Sequence, residues 1–227
     1  MKITIEPAPQ SGAHNMQVDA QMLADALDHG TPSLRLYSWE SATVSLGYFQ
    51  KQADVPARFA GLPCVKRLSG GGAILHEHEL TYSFALPPGH GFSQPTDLYE
   101  LAHAAVIQEL ATVNIAACLR RDFGGRAGSP EEPFLCFERH NEFDVVLCDA
   151  DQPGFAGCKV LGSAQRRRKG AVLQHGSLVL RRSVHTPDFP GVFEVNEFEL
   201  VRFADCLARR ISADFATRNP PAKEFAN

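Results

Sequence analysis

The sequence lacks several features that would assign it to a large class of proteins at once. It contains no run approaching the roughly 18 apolar residues that a membrane-spanning helix needs, and residues 1–7 do not resemble a signal peptide. A formal net charge of −4 argues against a general nucleic-acid binder, which would carry a basic excess. We therefore expect a cytoplasmic protein that binds neither membranes nor nucleic acids.

Paired cysteines are also absent. The six cysteines are scattered without a C-x-x-C pair, so the sequence indicates neither a zinc site nor a disulfide framework. His76 and His78 lack a third ligand nearby, and we expect no metal site. Most of the cysteines are expected to behave as small core residues, with one possible exception decided by its position.

The length of 227 residues and an apolar content of 44% suffice for one sizeable core. No internal repeat and no linker that would divide the chain is apparent. We predict a single domain over residues 1–217, a frayed tail over 218–227, and no C-terminal accessory domain.

Hydrophobic periodicity predicts both helices and strands. Helices are expected over 14–27, after a cap at Thr96, and from a capping box at Asn196 to about residue 215. A short helix with Asp54 as its N-cap is expected over 54–60, and a mobile loop over 120–133. Strands are expected over 2–6, 34–39, 43–47, 65–68, 80–86 and 143–147.

Lys159 begins a strand that is otherwise small and apolar, within a predicted β-hairpin over 157–180 whose turn at 166–170 is basic. A lysine placed there costs desolvation energy and is usually kept where a partner or ligand meets its charge, although it could also be an edge lysine that reaches solvent. The neighbouring Gly162, Ser163 and Ala164 favour a ligand groove, because small side chains allow close approach to the backbone. The basic turn is either a solvated hairpin tip or a docking point for acidic partners.

Three consecutive glycines, Gly70 to Gly72, join two predicted strands. They match neither a Walker loop nor a dinucleotide-binding fingerprint, and alone they could form only a flexible loop. The preceding Lys66 and Arg67 and the following His76 add donors for an anionic or carbonyl group. His76 could instead be a surface residue paired with a neighbouring glutamate.

The segments 67–76, 80–83, 159–165 and 173–177 together resemble the biotin/lipoate protein ligase superfamily, and within it lipoate-protein ligase A and the related octanoyltransferases. The resemblance covers most of residues 14–180. It implies an α/β (α+β) fold: a mixed, mainly antiparallel central sheet with packed helices and an acyl-binding tunnel.

The same resemblance implies a set of site residues. Lys159 matches the essential lysine of the family, whereas Lys66 stands where many members have an arginine. The loop over the acyl or adenylate group would be formed by Arg67, Ser69, Gly70, Gly71, Gly72 and Ala73, with His76 at its end. The tunnel would be lined by Gly162, Ser163, Ala164, His175 and Gly176.

The resemblance implies one of two reactions, a transferase reaction or a ligase reaction, and the role of Cys136 distinguishes them. Residues 135–138 resemble the nucleophile segment of octanoyltransferases, although Cys136 could also be a buried structural cysteine between Phe134 and Phe137. On the transferase hypothesis Cys136 takes an octanoyl group from octanoyl carrier protein as a thioester. The group then passes to a lysine of a lipoyl domain or of the glycine-cleavage H protein, with no cofactor.

The alternatives remain open at this point. A lipoate-protein ligase would use ATP and Mg to form lipoyl-AMP, possibly with a separate accessory chain. Residues 139–144 lack the Pro-Ser element usual after the transferase cysteine, and Asn141 and Asp144 are reminiscent of ligases. A lipoyl-binding protein without catalytic activity is a third hypothesis, against which the presence of Lys159 argues.

Overall fold

The computed structural model describes residues 1–92, 94–124, 133–148 and 154–219. Ten strands and four α-helices are assigned within these ranges. The strands are β1 (Lys2–Ile5), β2 (Ser33–Tyr37), β3 (Thr43–Leu46), β4 (Cys64–Lys66), β5 (Ile74–His76), β6 (Glu79–Leu86), β7 (Ala117–Leu119), β8 (Val145–Leu147), β9 (Lys159–Arg168) and β10 (Ala171–Val179). The helices are α1 (Gly12–His29), α2 (Pro95–Thr112), α3 (Arg120–Phe123) and α4 (Leu200–Arg218).

Seven strands form one large sheet in the order β1-β2-β6-β10-β9-β8-β7. The β1–β2 pair is parallel and the other pairs in this sheet are antiparallel. A second sheet has the order β4-β3-β5 and contains one parallel and one antiparallel pair. The mixed, mainly antiparallel sheet with packed helices confirms the predicted fold class.

Helices cover both faces of the large sheet. Successive strand residues point to opposite faces, so Leu173 of β10 contacts the apolar side of α1 while the adjacent Val172 joins the core formed with α2 and α4. Helix α1 begins after Ser11, whose side chain accepts a hydrogen bond from the N–H of His14, and is followed by Gly30, whose φ of 66° ends the helix. The predicted helix on the core is confirmed.

The central hairpin of β9 and β10 is also confirmed. Its arms pair through Arg168 and Ala171, so the turn is shorter than predicted and consists of Lys169 and Gly170. Both residues have positive φ, 48° and 85°. Two such residues in succession are typical of the tight turns whose twist matches antiparallel strands.

The short helix predicted over 54–60 is wrong. Two 3₁₀ turns, Gln52–Asp54 and Ala57–Phe59, stand there instead, and Asp54 ends the first rather than capping a helix. Pro56 separates them because proline donates no N–H and disfavours a helical conformation in the residue before it.

Two predicted helix starts are displaced. Helix α2 is capped by Gln94 and begins at Pro95, because proline is tolerated at the first position of a helix. Thr96 therefore lies inside the first turn. Helix α4 is capped by Glu199, and Asn196 instead donates a side-chain hydrogen bond to the Val113 carbonyl at 2.8 Å. In both cases a tertiary contact or a proline, rather than the local cap signal, decides where the helix begins.

The predicted loop over 120–133 contains α3 at its start, and its residues 125–132 lie outside the described ranges. Of the predicted tail, Arg218 ends α4, whereas 220–227 are not described. Among the residues that are described, none of the helices combines the length and apolar character needed to cross a bilayer.

Candidate functional site

The glycine loop, residues 69–73, lies directly against the segment that carries Cys136. Ala73 donates its N–H to the Phe134 carbonyl at 2.8 Å, and Cys136 donates its N–H to the Ala73 carbonyl at 2.7 Å. A Cβ atom added to Gly72 would lie 2.9 Å from the Cys136 nitrogen. A glycine is therefore needed there for the two segments to approach this closely.

Arg67 is buried beneath the glycine loop and uses all five of its N–H donors within the protein. Nη2 donates to the carbonyls of Gly70 at 2.8 Å and Gly72 at 2.6 Å. Nη1 donates to the Ser45 carbonyl at 2.9 Å and hydroxyl at 3.3 Å, and Nε donates to the Ser69 hydroxyl at 3.2 Å. Arg67 thus fixes the loop through its carbonyl oxygens.

Each of the two serine hydroxyls that Arg67 contacts begins a series of hydrogen bonds, first to a histidine and then to a carboxylate. Ser45 contacts His76 Nε2 at 2.7 Å, and His76 Nδ1 lies 2.7 Å from Glu79. Because an ionised carboxylate only accepts, Nδ1 carries the proton and Nε2 accepts from the serine. Burial lowers the pKa of His76, which keeps the ring neutral, and the ring stacks on Trp39 with centroids 3.7 Å apart.

The second chain runs from Ser69 to His175 and Asp19. Ser69 is hydrogen-bonded to His175 Nε2, and His175 Nδ1 lies 3.1 Å from an Asp19 carboxylate oxygen. The two chains place the Arg67 guanidinium between two buried carboxylates that it does not touch directly. Burial lowers the Arg67 pKa to about 10, so the group is still charged at neutral pH.

The N–H groups of Gly70, Gly71 and Gly72 make no hydrogen bond to any other described residue. Arg67 holds the Gly70 and Gly72 carbonyls, and Gly71 has a φ of 90°, which favours glycine. A peptide run of this kind, with two of its carbonyls engaged and its N–H groups unpaired, can bind an anionic or carbonyl oxygen.

Lys159 is buried beside the cysteine segment. Its ammonium donates to the carbonyls of Cys136 at 3.1 Å and Arg139 at 3.3 Å and lies 3.0 Å from Asp144 Oδ1. A Cβ atom on Gly162 would lie 2.6 Å from Lys159 Cε, so this glycine leaves the room that the lysine occupies. Of the two interpretations of Lys159, the solvent-reaching edge lysine is wrong, because Asp144 and two carbonyls meet its charge.

The Cys136 thiol is half-buried and lies among groups whose pKa values respond to it. The Tyr99 pKa is raised to about 12, first by burial and then by Cys136. Cys136 also acts on Arg67, whose pKa it raises against the lowering effect of burial. Arg67 is therefore a buried cation within electrostatic range of the Cys136 side chain.

The predicted tunnel residues lie on β9 and β10 but divide between the two faces of the sheet. Ala164 pairs with His175, which reaches Ser69 and Asp19 on the α1 face. Ser163 pairs with Gly176, whose added Cβ would lie 2.3 Å from the Ser163 hydroxyl. The cavity lined by Arg67, His76 and His175 measures about 10 Å³. The acyl-binding tunnel itself stays a prediction.

Several functional candidates were missed from the sequence. The most informative is His103 of α2, whose Nδ1 lies 2.6 Å from the Phe143 carbonyl and whose Nε2 lies 2.6 Å from the Ser163 hydroxyl. Asp144, the partner of Lys159, was noted only as reminiscent of ligases. A polar residue on the apolar face of a predicted helix was the available signal for His103. The other missed residues are Asp19, Ser45, Glu79 and Tyr82.

Of the two histidines in the segment 76–78, His76 lies inside the candidate site and His78 lies at the surface. His76 is buried in the chain from Ser45 to Glu79, so its interpretation as a surface residue is wrong. His78 lies 3.6 Å from Glu77 with half of its side chain exposed. Across the described ranges, no cluster of three His, Cys, Asp or Glu side chains is arranged to hold a metal ion.

Comparison with known proteins gives a family match over most of the chain. The model of the lipoyl protein ligase A/B catalytic domain matches residues 11–197. An octanoyltransferase LipM of Moorella thermoacetica is 39% identical over 73% of this chain and 60% of its own length. A LipM of Carboxydothermus hydrogenoformans is 35% identical over 96% of this chain and 76% of its own length. The chain therefore spans only part of these relatives.

The fold has solved counterparts. The structure of an archaeal bi-partite lipoate protein ligase with its E2 lipoyl domain, from Thermoplasma acidophilum, aligns with a TM-score of 0.68 over 94% of this chain and 82% of that chain. Its sequence identity is 18%, so this likeness concerns the fold alone.

Proposed function

The chain belongs to the lipoyl protein ligase A/B catalytic-domain family, and from that premise we propose that it is an octanoyltransferase that moves an octanoyl group through a thioester on Cys136. The relatives named octanoyltransferase LipM support the reaction class. The observation that carries the proposal is the position of Cys136, whose backbone N–H donates to the Ala73 carbonyl of the glycine loop and whose carbonyl accepts from the Lys159 ammonium.

In the first half-reaction the Cys136 thiolate attacks the thioester carbonyl of octanoyl carrier protein. A new sulfur–carbon bond forms, the old one breaks, and the carrier thiolate leaves and takes up a proton. The unpaired N–H groups of Gly70 to Gly72 stabilise the negative charge on the carbonyl oxygen. Arg67 contributes by fixing those peptides rather than by touching the substrate.

In the second half-reaction the neutral amine of a lysine on a lipoyl domain or H protein attacks the Cys136 thioester. An amide bond forms, the amine loses a proton, and the Cys136 thiolate is released. Lys159 holds the carbonyls of Cys136 and Arg139 and so keeps the nucleophile segment beside the glycine loop.

The proposed partners and conditions follow from this chemistry. The donor is octanoyl carrier protein and the acceptor is a lipoyl-domain or H-protein lysine. The thioester already carries the activation that a ligase must obtain from ATP, so the transferase reaction needs no cofactor, whereas a ligase would need ATP and Mg. We propose that the reaction takes place in the cytoplasm.

The test compares two routes to the same acceptor. Purified protein and an apo lipoyl domain are given either octanoyl carrier protein without ATP, or lipoate with and without Mg-ATP, and the acceptor mass is measured. We expect acylation from octanoyl carrier protein without ATP, and its loss in Cys136→Ser. Modification only with lipoate and Mg-ATP would make the protein a lipoate-protein ligase and overturn the proposal.

A further inference from the structure

Two large aromatic side chains are exposed next to the candidate site. Phe49 is 84% exposed and Tyr48 is 42% exposed, and their ring centroids lie 5.1 Å apart in an edge-to-face arrangement. An isolated exposed apolar residue needs no explanation, but an exposed aromatic pair in one loop is typical of a surface that binds something.

Two cations lie against the Tyr48 ring of this pair. The Arg166 guanidinium lies 4.8 Å from the Tyr48 ring centroid, and the Lys66 ammonium lies 5.7 Å from the same centroid. Within the described part of the chain, neither Lys66 nor Arg166 forms an ion pair with a carboxylate. We call Tyr48, Phe49, Lys66 and Arg166 the rim patch. It is basic although the whole chain carries a formal net charge of −4.

The loop that carries the rim patch is attached to both halves of the candidate site. Tyr48 donates its N–H to the Ser69 carbonyl at 2.9 Å, at the start of the glycine loop. Gln50 donates its side-chain amide to the Phe134 carbonyl at 3.2 Å, in the cysteine segment. A molecule bound on the rim patch would therefore lie beside the entry to Cys136.

We propose that the rim patch docks the carrier protein that delivers the acyl thioester; this inference rests on the proposed transferase function and assigns its donor surface. The fitting partner presents an apolar side chain among carboxylates and carries its acyl group on an arm that contains a phosphodiester. The cations of the patch complement both the carboxylates and the phosphodiester.

The charge of the patch favours the donor over the acceptor. The acceptor approaches the same thioester with a lysine, which is cationic before it is deprotonated. Lys66 and Arg166 would repel that lysine at close range. A donor thioester is neutral and its arm is anionic, so the rim patch attracts the donor and not the reacting group of the acceptor.

The test measures transfer kinetics with two donors, octanoyl carrier protein and octanoyl pantetheine, which lacks both protein and phosphate. Phe49→Ser and Arg166→Glu are compared with the charge reversal Arg202→Glu, at an exposed position on α4. We expect each patch variant to raise the KM for octanoyl carrier protein about 10-fold or more at low salt. Turnover of octanoyl pantetheine and the KM for the acceptor should change less than about twofold, and Arg202→Glu should match wild type.

Three outcomes would overturn the inference: an unchanged KM for octanoyl carrier protein, an equal change for both donors, or a change in the KM for the acceptor instead. Thermal unfolding of each variant separates a binding defect from a folding defect. Failure of the proposed function is distinguishable, because the wild-type protein would then transfer from neither donor.

Discussion

Arg67 and Lys159 are both buried cations whose donors hold the backbone carbonyls of a neighbouring loop, but their charges are balanced in different ways. Lys159 has a carboxylate, Asp144, at 3.0 Å. Arg67 reaches its carboxylates, Glu79 and Asp19, only through a serine and a histidine on each side. The planar guanidinium is fixed by five hydrogen bonds, whereas the lysine amine has rotatable donors on a flexible stem.

The difference separates two tasks within one site. Arg67 and its two Ser–His–carboxylate chains set the conformation of the glycine loop, so the unpaired N–H groups are already oriented before a substrate arrives. On the proposed mechanism, Lys159 holds the segment that reacts. Four substitutions would break or sharpen this comparison.

The largest effect is expected for Lys159→Ala. Removing the ammonium releases the Cys136 and Arg139 carbonyls and leaves Asp144 as an uncompensated buried charge. Transfer from octanoyl pantetheine should fall at least about 1,000-fold, measured as single-turnover acylation of the acceptor. Lys2→Ala, at an exposed lysine on β1, is the matched control and should keep wild-type activity. A fall of less than about 10-fold would remove Lys159 from the reaction.

Arg67→Lys tests the other cation while keeping its charge. Lysine cannot reproduce the fork that holds Gly70 and Gly72 together with Ser45. We expect kcat to fall about 10- to 100-fold, less than the roughly 100- to 1,000-fold loss on removing an oxyanion-hole donor, because the N–H groups stay and are only displaced. The KM for octanoyl pantetheine should change little. Arg202→Lys on α4 should have no effect. An increase in KM at unchanged kcat would instead indicate that Arg67 binds the substrate directly.

Gly47→Ala examines how tightly the glycine loop is held. A Cβ atom there would lie 2.0 Å from the Gly71 carbonyl oxygen, and Arg67 holds the carbonyls on either side, those of Gly70 and Gly72, in place. The unfolding free energy should fall by about 1–3 kcal/mol, as measured by denaturant titration. Gly154→Ala has open space around it and should change stability by less than about 0.5 kcal/mol. Equal stability of the two variants would mean that the loop is not fixed.

The smallest effect is expected for the loss of His103. Its ring is hydrogen-bonded to the carbonyl of Phe143, the residue before Asp144, which is the partner of Lys159. Burial lowers the pKa of His103 to about 4, below the roughly 6.5 of an unfolded histidine. The unfolded chain therefore binds a proton first as the pH falls, and stability present above pH ~6.5 is lost towards pH ~4. Between pH 7 and pH 5 this group should account for up to about 2 kcal/mol of the loss in unfolding free energy.

His103→Gln should remove that part of the pH dependence, whereas His29→Gln, at an exposed histidine on α1, should leave the slope unchanged. Denaturant titrations at a series of pH values between 7 and 5 measure both slopes. An unaltered slope in His103→Gln would show that His103 takes up its proton equally well in the folded and unfolded states.

The sequence predicted those parts of the site that local residue patterns encode. The hairpin carrying Lys159, the glycine loop and the fold class followed from alternation, small residues and family motifs. The roles of Asp19 and Glu79 could not be predicted in this way. A carboxylate on a helix or strand is expected at the surface unless a buried cation or histidine from elsewhere in the chain meets it. The single domain over 1–217 and the roles of the site residues stay predictions.

The central claim is that Cys136 carries the acyl group. Incubation with octanoyl carrier protein, without ATP and without an acceptor, followed by intact mass spectrometry, tests it directly. We predict one hydroxylamine-labile octanoyl adduct on the wild-type protein and on Cys158→Ser, and none on Cys136→Ser. An adduct that persists in Cys136→Ser, or no adduct on a wild-type protein that still acylates the acceptor, would contradict the account.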